Sequence, residues 1–247
     1  GDNDSLTIDT GAGSLAVVTG AINSGDGGGA LNKQGAGTLR RTNNSSAWGG
    51  GTRITGGTLE FTSIANVGGN DDAFDSSLGN AQNANVLQIG SSSTAATLRM
   101  INTDAKNSSD RAVQLGDAGG TIEVVEAAQT LTLTGVVSDD TANGGTSGSL
   151  TKQGLGRRVL GGDNTYSGNT TITEGILQVG TGGTGGTLGA GAGNVINNSA
   201  LELNTSDDNT YSGDFSGTGT LDHNGSGATT LGGTNTYAGN TTITAGT

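Results

Sequence analysis

The chain has 247 residues, including 49 glycines and neither proline nor cysteine, and only 13% of its residues are charged. Its 22 acidic and 10 basic residues give a formal net charge of −12, which disfavours nucleic acids and anionic membrane surfaces as partners. The lack of cysteine excludes a disulfide scaffold and thiolate metal sites, and no apolar run approaches the roughly 18 residues of a membrane helix. The missing proline favours a backbone that is paired on both sides.

The first predicted element in chain order is a glycine-punctuated segment over residues 31–61. No run of about ten residues in the chain keeps a helical apolar period without an interrupting glycine. Strand-type alternation instead recurs at Leu131-Thr132-Leu133, Ile176-Leu177-Gln178-Val179 and Leu201-Glu202-Leu203. A flexible linker has no reason to keep such alternation, so the chain is predicted to fold into short strands with glycine corners and essentially no helix.

Internal repeats are the strongest pattern in the sequence. Residues 150–175 and 221–246 align at a constant offset of 71 with sixteen of 26 positions identical, and residues 31–61 form a more diverged copy. We therefore place repeat copies at 31–61, 150–179 and 221–247. The structural repeat positions include glycines, asparagines and isoleucines, namely Gly154, Gly156, Gly225, Gly227, Asn164, Asn235, Ile172 and Ile243.

One slot of the repeat is aromatic. Trp48, Tyr166 and Tyr237 occupy it in the three copies, and Tyr211 occupies it in a half-copy at residues 209–213. The spacings of 118, 45 and 26 residues divide into units of roughly 22 to 26 residues, a period typical of solenoids. The three tyrosines are therefore predicted to stack at one corner as an internal ladder that fixes coil register; an alternative role for the rings is stacking on sugars.

The repeat period and the short strands together predict an all-β fold. We expect a right-handed, single-stranded parallel β-helix of roughly ten coils that forms one segment over residues 1–247. A unit of this length cannot bury its own apolar face, so each coil must stack on its neighbours.

The string K-x-G-x-G, followed by leucine and N-T-Y-S-G-N-T-T-I-x-x-G-x-L, runs from Lys152 to Leu177 and, shortened, from His223 to Gly246. It resembles the autotransporter-associated β-strand repeat of large bacterial surface proteins. The resemblance implies a β-helix displayed outside the cell, often as an adhesin or biofilm component. Arg158 stands where the family has an inward leucine, and His223 replaces the lysine of the motif.

Catalytic chemistry has few candidate residues. His223 is the single histidine, so a Ser-His-Asp triad or a histidine-bearing metal site would need it, yet it occupies a lysine slot that we expect on a solvated face. Replacing His223 by alanine is then expected to change neither fold nor activity. The G-x-S-x-G elbow of many hydrolases is absent.

Three pairs of aspartates could supply general acid and base groups for glycan cleavage, or oxygen ligands for calcium: Asp71-Asp72, Asp139-Asp140 and Asp207-Asp208. Solvated loop positions are the competing interpretation and the one we favour, so no cofactor is assigned. The G-x-G-x-x-G match at residues 180–185 is predicted to be a corner, because the glycines that follow argue against a helix. Repeated threonines at residues 170–173 raise an ice-binding face, which would require the same pattern in each coil.

The sequence thus predicts an extracellular structural and adhesive rod, with host or neighbouring-cell surfaces, glycans or other copies of itself as partners. The alternative is a polysaccharide-processing enzyme on the same scaffold, which would show two carboxylates facing each other across a cleft. The final copy stops half-way through the motif at Gly246-Thr247, so we also expect the chain to be an internal segment of a longer rod.

Overall fold

The computed structural model describes residues 5–23, 28–46, 48, 50–66, 76–79, 86–101, 107–191 and 193–247. Within these residues the chain forms short strands, and all pairings between strands are parallel. The single helical element among them is a three-residue 3-10 turn at Thr141–Asn143. The prediction of an all-β chain is confirmed.

The strands stack into three long sheets and one short one. Sheet 1 contains, in spatial order, β1 (Leu6–Asp9), β3 (Leu31–Gln34), β5 (Thr52–Ile54), β7 (Leu87–Ile89), β10 (Val113–Leu115) and β13 (Val137–Asp139). Sheet 2 contains β2 (Leu15–Val18), β4 (Thr38–Arg41), β6 (Gly57–Phe61), β8 (Ala96–Met100), β11 (Gly120–Val124), β14 (Leu150–Gln153), β16 (Thr170–Ile172), β18 (Val195–Asn197) and β21 (Phe215–Ser216). Sheet 3 contains β9 (Ser108–Ser109), β12 (Thr130–Leu133), β15 (Arg157–Leu160), β17 (Ile176–Val179), β19 (Ala200–Leu203), β22 (Thr220–His223) and β24 (Thr241–Ile243). The short sheet pairs β20 (Asn209–Tyr211) with β23 (Thr229–Leu231).

Successive strands along the chain go to different sheets, and each sheet stacks strands from successive turns of the chain. This arrangement is a parallel β-solenoid, and the nine strands of sheet 2 mark nine stacked coils, close to the ten that the sequence predicts. Parallel pairing requires a crossover between partners, which the rest of each coil supplies.

The core lies between the three sheets and follows from strand alternation, because successive side chains point to opposite faces. In sheet 2, for example, the inward row Leu39, Leu59, Leu98 and Ile122 is fully buried, one residue from each of four consecutive coils. Burial of each such side chain stabilises the fold by about 1.5–3 kcal/mol.

Each repeat closes one coil upon itself. In the copy at 150–175, β14 starts the motif and β16 ends it, and these strands pair with Leu150 opposite Thr170 and Lys152 opposite Ile172. The same positions pair in the other copies, where β3 lies against β5 and β22 against β24. The three copies begin on sheets 1, 2 and 3 respectively. The repeat therefore specifies a coil, not a face.

The prediction of one tyrosine corner is wrong for Tyr237. Ala190 N donates to the carbonyl of Tyr166, and Ser212 N, next to Tyr211, donates to the carbonyl of Gly191. Tyr166 and Tyr211 therefore lie on the same side of the rod. Thr236 N instead donates to the carbonyl of Phe215 in β21, which places Tyr237 on sheet 2. The reason is unequal coil length: Leu150 pairs with Thr170, 20 residues later, whereas Thr170 pairs with Val195, 25 residues later.

Candidate functional site

The lysine of the repeat points into the solenoid. Lys152 is 1% exposed, because it lies two residues after the inward Leu150 on the same side of β14. Its Nζ donates to three carbonyl oxygens, those of Gln153 (3.0 Å), Gly154 (2.7 Å) and Glu174 (3.0 Å). The first two carbonyls belong to its own corner and the third to the next coil, so one ammonium ties two coils together.

Lys33 repeats this arrangement in the first copy. Its Nζ donates to the carbonyls of Gln34 (2.9 Å), Gly35 (2.8 Å) and Gly56 (2.9 Å). Burial lowers the pKa of Lys33, opposed by the charge of Asp9. For Lys152, burial and then repulsion from Arg158 lower the pKa to about 8. The repeat motif alone did not indicate this role for the lysine, although strand alternation from the neighbouring leucine places it on the inner side.

His223 occupies the same inward slot, so the prediction of a solvated face is wrong. The side chain is 6% exposed, and it lies in β22 two residues after Leu221, on the inward side. Neither ring nitrogen has a hydrogen-bond partner within the described residues. The imidazole replaces the ammonium in volume but makes none of its three hydrogen bonds.

Arg158 also points inward, between Leu131 and Leu177 of the neighbouring coils. Its guanidinium is buried, and none of its three nitrogens has a partner within the described residues. Burial lowers its pKa to about 9. Five basic side chains are buried in the part of the chain that the structure describes, with or without partners, namely Lys33, Arg41, Arg111, Lys152 and Arg158. The outside of the rod is therefore more acidic than the formal net charge indicates.

The aromatic side chain of the repeat is held by a hydrogen bond to the threonine four residues later in the chain. Trp48 Nε1 donates to Thr52 Oγ1 (3.2 Å), and the hydroxyls of Tyr166 and Tyr237 share hydrogen bonds of 2.7 Å with Thr170 and Thr241. Trp48 and Tyr166 are buried, so their ring faces are not presented to a sugar.

Tyr211, the half-copy member of this slot, is also buried, and its ring packs against Phe215 with centroids 5.9 Å apart. Burial raises the pKa of Tyr211 to about 12.

The remaining repeat positions hold neighbouring coils together. A Cβ on Gly154 or Gly225 would lie 2.3 Å from Val124 O or 2.1 Å from Thr205 O, so glycine is required where the backbones approach. The equivalent close approaches at the second glycine of the motif are those of Gly156 and Gly227. Ile172 is buried, whereas Ile243 in β24 is exposed.

The asparagines of the repeat bind backbone groups of other coils. Asn164 Oδ1 accepts from Val137 N (2.8 Å), and Asn164 Nδ2 donates to Thr187 O (2.7 Å). Asn235 Oδ1 accepts from Phe215 N (3.1 Å). Both side chains therefore act as links between coils.

The aspartate pairs are engaged in similar links. Asp139 Oδ1 accepts from Gly148 N (2.7 Å) and its other oxygen from Ser167 Oγ (2.7 Å), while the buried Asp140 accepts from Gln88 Nε2 (2.7 Å). Adjacent carboxylates thus face different partners, which does not favour a paired acid and base.

The pair at 207–208 behaves in the same way. Asp207 accepts from Gly185 N and Asp208 from Ala228 N, each at 2.7 Å. Asp71-Asp72 lies outside the described residues. In the part of the chain that the structure describes, no group of three or more His, Cys, Asp or Glu side chains could hold a metal ion.

An open groove of about 420 Å³ lies beside the corner that follows sheet 3. Thr134, Thr184 and glycines line it, and Asp163 and Asp207 contribute carboxylates. One oxygen of each carboxylate accepts a glycine N–H from a neighbouring turn, Asp163 from Gly186 and Asp207 from Gly185. The G-x-G-x-x-G match at residues 180–185 forms part of this corner, as predicted.

The outer face of sheet 2 carries two regular rows. One row contains six threonines in register, one from each of six consecutive coils: Thr38, Thr58, Thr97, Thr121, Thr151 and Thr171. Two residues further along the strands, Arg40, Glu60, Arg99 and Glu123 form a row of alternating charge. We call the two rows together the ladder face.

Ion pairs connect the charged row from coil to coil. Arg40 Nε lies 2.6 Å from Glu60, Arg99 Nη1 lies 3.1 Å from Glu60, and Arg99 Nε lies 2.6 Å from Glu123. The arginines are about one-third exposed, whereas Glu60 is nearly covered. The ladder face is thus regular and electrically neutral on a chain of net charge −12.

The fold and its one-coil repeat define a segment of a parallel β-solenoid rod. Residues 31–61, 150–179 and 224–247 match the family described as passenger-associated-transport-repeat. The adhesin BmaC autotransporter of Brucella suis biovar 1 (strain 1330) is 38% identical over 169 residues, which cover 66% of this chain and 4% of that protein. The chain thus carries the repeat of autotransporter passengers, a class whose members are exposed at the bacterial cell surface.

The chain spans a small fraction of the length of its curated relative. No solved structure matches the chain. None of the helices in the described residues is long and apolar enough to cross a membrane.

Proposed function

We propose that this chain is a section of an extracellular adhesive rod that mediates attachment or aggregation through its outer faces. The regular polar ladder face is the observation that carries this proposal, because a rigid array of threonine hydroxyls and charged groups repeats along the rod. The adhesin named among its relatives supports it.

The structure of the carboxylates favours this role over glycan processing. General acid and base groups need free carboxyl oxygens on opposite sides of a bond. Asp139, Asp207 and Asp208 instead accept backbone N–H groups across coils, that of Asp139 coming from Ser167. Their hydrogen bonds stabilise the corners of the solenoid.

The test is binding of beads coated with the 247-residue chain to cultured epithelial cells, to matrix proteins and to each other, with beads carrying the heat-unfolded chain as control. We expect adhesion of the folded chain without release of reducing sugar from a polysaccharide panel. Sugar release that is lost in Asp139→Asn or Asp207→Asn would contradict the proposal and would favour the enzyme.

A further inference from the structure

We infer that the ladder face binds the ladder face of a second copy of this chain, with the two rods antiparallel. This inference deepens the proposed function by naming a partner and a surface. Its basis is the order of the charges along the rod, which is plus, minus, plus, minus at Arg40, Glu60, Arg99 and Glu123.

This order is complementary to its own reverse. When one rod is turned about a two-fold axis that runs parallel to the strands, midway between Glu60 and Arg99, Arg40 meets Glu123 of the other copy and Glu60 meets Arg99. An isologous contact requires such self-complementarity. The same operation places the threonine row opposite itself, with Thr58 facing Thr97.

A parallel arrangement in the same register is disfavoured, because a two-fold axis along the rod would bring each charge against its own copy. Like charges in contact cost several kcal/mol. The charge order therefore selects the antiparallel arrangement, which is the one available to rods that project from opposing cells.

Unused hydrogen-bonding groups lie at the two ends of the charged row. Arg40 binds Glu60 through Nε, and within the described residues its two Nη groups have no partner. Glu123 binds Arg99 through Oε2, and its Oε1 has no partner among those residues. These are the groups that the two-fold operation brings together, twice per pair.

Other faces of the described chain are less suited to a second copy. Sheet 1 is crossed by the segment that carries Asp140 and Asn143, whose side chains bind Gln88. On sheet 3, the outward Arg157 binds Glu202 within the chain, and Asp222 adds a further negative charge beside Glu202. Two copies of net charge −12 repel each other, so a neutral face is where contact is least opposed.

The area limits the strength of one pair. Six coils at about 4.8 Å give a face about 29 Å long. A face of this length is smaller than a standard interface, so we expect weak pairing, with a Kd on the order of 10⁻⁴ M. Sedimentation equilibrium of the 247-residue chain at concentrations up to about 1 mM should therefore detect the pair, because this concentration exceeds the expected Kd.

The decisive variants reverse one charge each. Arg40→Glu and Glu123→Arg should each weaken self-association at least about tenfold, because each creates two repulsive contacts per pair. An equimolar mixture of the two variants should associate like the parent chain, since every contact in the mixed pair is again attractive. The double variant Arg40→Glu/Glu123→Arg should also associate like the parent.

Arg157→Glu on sheet 3 is the matched control, with the same change of charge on another face, and should leave association unchanged. A parent chain that is monomeric at about 1 mM, a mixture that does not associate, or equal weakening by Arg157→Glu would overturn the inference. Association that is insensitive to all variants would show end-to-end contact and would also overturn it. Circular dichroism checks folding, and if Arg40→Glu does not fold, Arg40→Ser/Glu123→Ser should show the same weakening.

Binding of the Arg40→Glu chain to host cells separates this inference from the proposed function. If the Arg40→Glu chain still binds host cells and also self-associates like its parent, the proposed adhesion stands and the inferred pairing through the ladder face is wrong. Loss of bead-to-bead aggregation alone, with host-cell binding retained, is the expected result.

Discussion

Lys152 reaches from its own corner to the carbonyl of Glu174 in the next coil, 22 residues later and 3.0 Å away. Lys33 makes the equivalent contact with Gly56. The repeat thus stabilises its own coil in two ways. Its first strand pairs with its last, and the buried ammonium of its lysine binds carbonyls at the corners of both strands. The ammonium thus supplies donors to three backbone carbonyls at each of these corners, which limits the number of unpaired polar groups where the coils meet.

Removal of the Lys152 ammonium should destabilise the chain. Lys152→Met keeps the volume of the side chain but leaves three carbonyls without their donor, and we expect a loss of about 1–3 kcal/mol. Gln153→Met, one residue away on the outer side of the strand, is the matched control and should change stability by less than about 0.5 kcal/mol. Urea unfolding measures the free energy of unfolding of both variants. Equal losses would show that the hydrogen bonds of the ammonium do not stabilise the fold.

His223→Lys should stabilise the last repeat copy. A lysine in this slot can donate to the corner carbonyls, as Lys33 and Lys152 do, whereas the two imidazole nitrogens have no partner within the described residues. We expect a gain of about 1 kcal/mol.

Asp222→Lys is the control for His223→Lys, because it adds a lysine at the adjacent, outward position. Unfolding by urea should show no comparable gain for this variant. A destabilised His223→Lys chain would mean that the imidazole slot is too small for the ammonium arrangement.

Arg158→Leu should also stabilise the chain. The guanidinium is buried without partners, and replacement of buried charges by apolar side chains is commonly neutral or stabilising by about 1–4 kcal/mol. Leucine is the residue at the aligned position of the first copy, Leu39, which is fully buried. Arg157→Leu, which breaks the outer ion pair with Glu202, should give no gain. A lower melting temperature for Arg158→Leu would show that the guanidinium has a stabilising partner.

Stability should rise as the pH is raised from about 8 to about 10. The pKa of Lys152 is about 8 in the folded chain against 10.5 for an ordinary lysine, so in this window the unfolded chain binds more protons than the folded one. The lowered pKa of Arg158, about 9 in the folded chain against 12.5 for an ordinary arginine, acts in the same direction.

Urea unfolding at pH 7.5, 9, 10 and 11 measures this profile. Lys152→Met should flatten the rise between pH 8 and 10, although it lowers stability at every pH, because the amine remains a donor to the carbonyls after it loses its charge. A parent chain whose stability falls steadily from pH 8 to pH 10 would contradict the assignment of a buried, charged lysine.

The sequence predicted the fold class and the repeat well, because strand alternation and glycine corners are local signals. It did not predict which face each copy occupies. The distances from Trp48 to Tyr166 and Tyr237 span coils of unequal length, from 20 residues between Leu150 and Thr170 to 39 between Thr58 and Thr97, and such differences move a motif to another sheet.

The inward position of the repeat lysine could have been predicted from the sequence. Lys33 and Lys152 each follow a leucine by two residues, which places both on the inner side by simple alternation. The ordinary preference of lysine and histidine for the surface was the wrong guide at His223. The ladder face was out of reach, because Arg40, Glu60 and Arg99 come together only through the coil register.

The distance between Thr38 and Thr171 tests the account most directly. The two residues are 133 positions apart in sequence but lie in one outward row of sheet 2, separated by five coil spacings. With nitroxide labels on cysteines introduced at these positions, double electron–electron resonance should give a narrow distribution centred at about 24 Å. A broad distribution, or a centre beyond about 35 Å, would contradict the stacked-coil register on which the repeat, the ladder face and the proposed pairing depend.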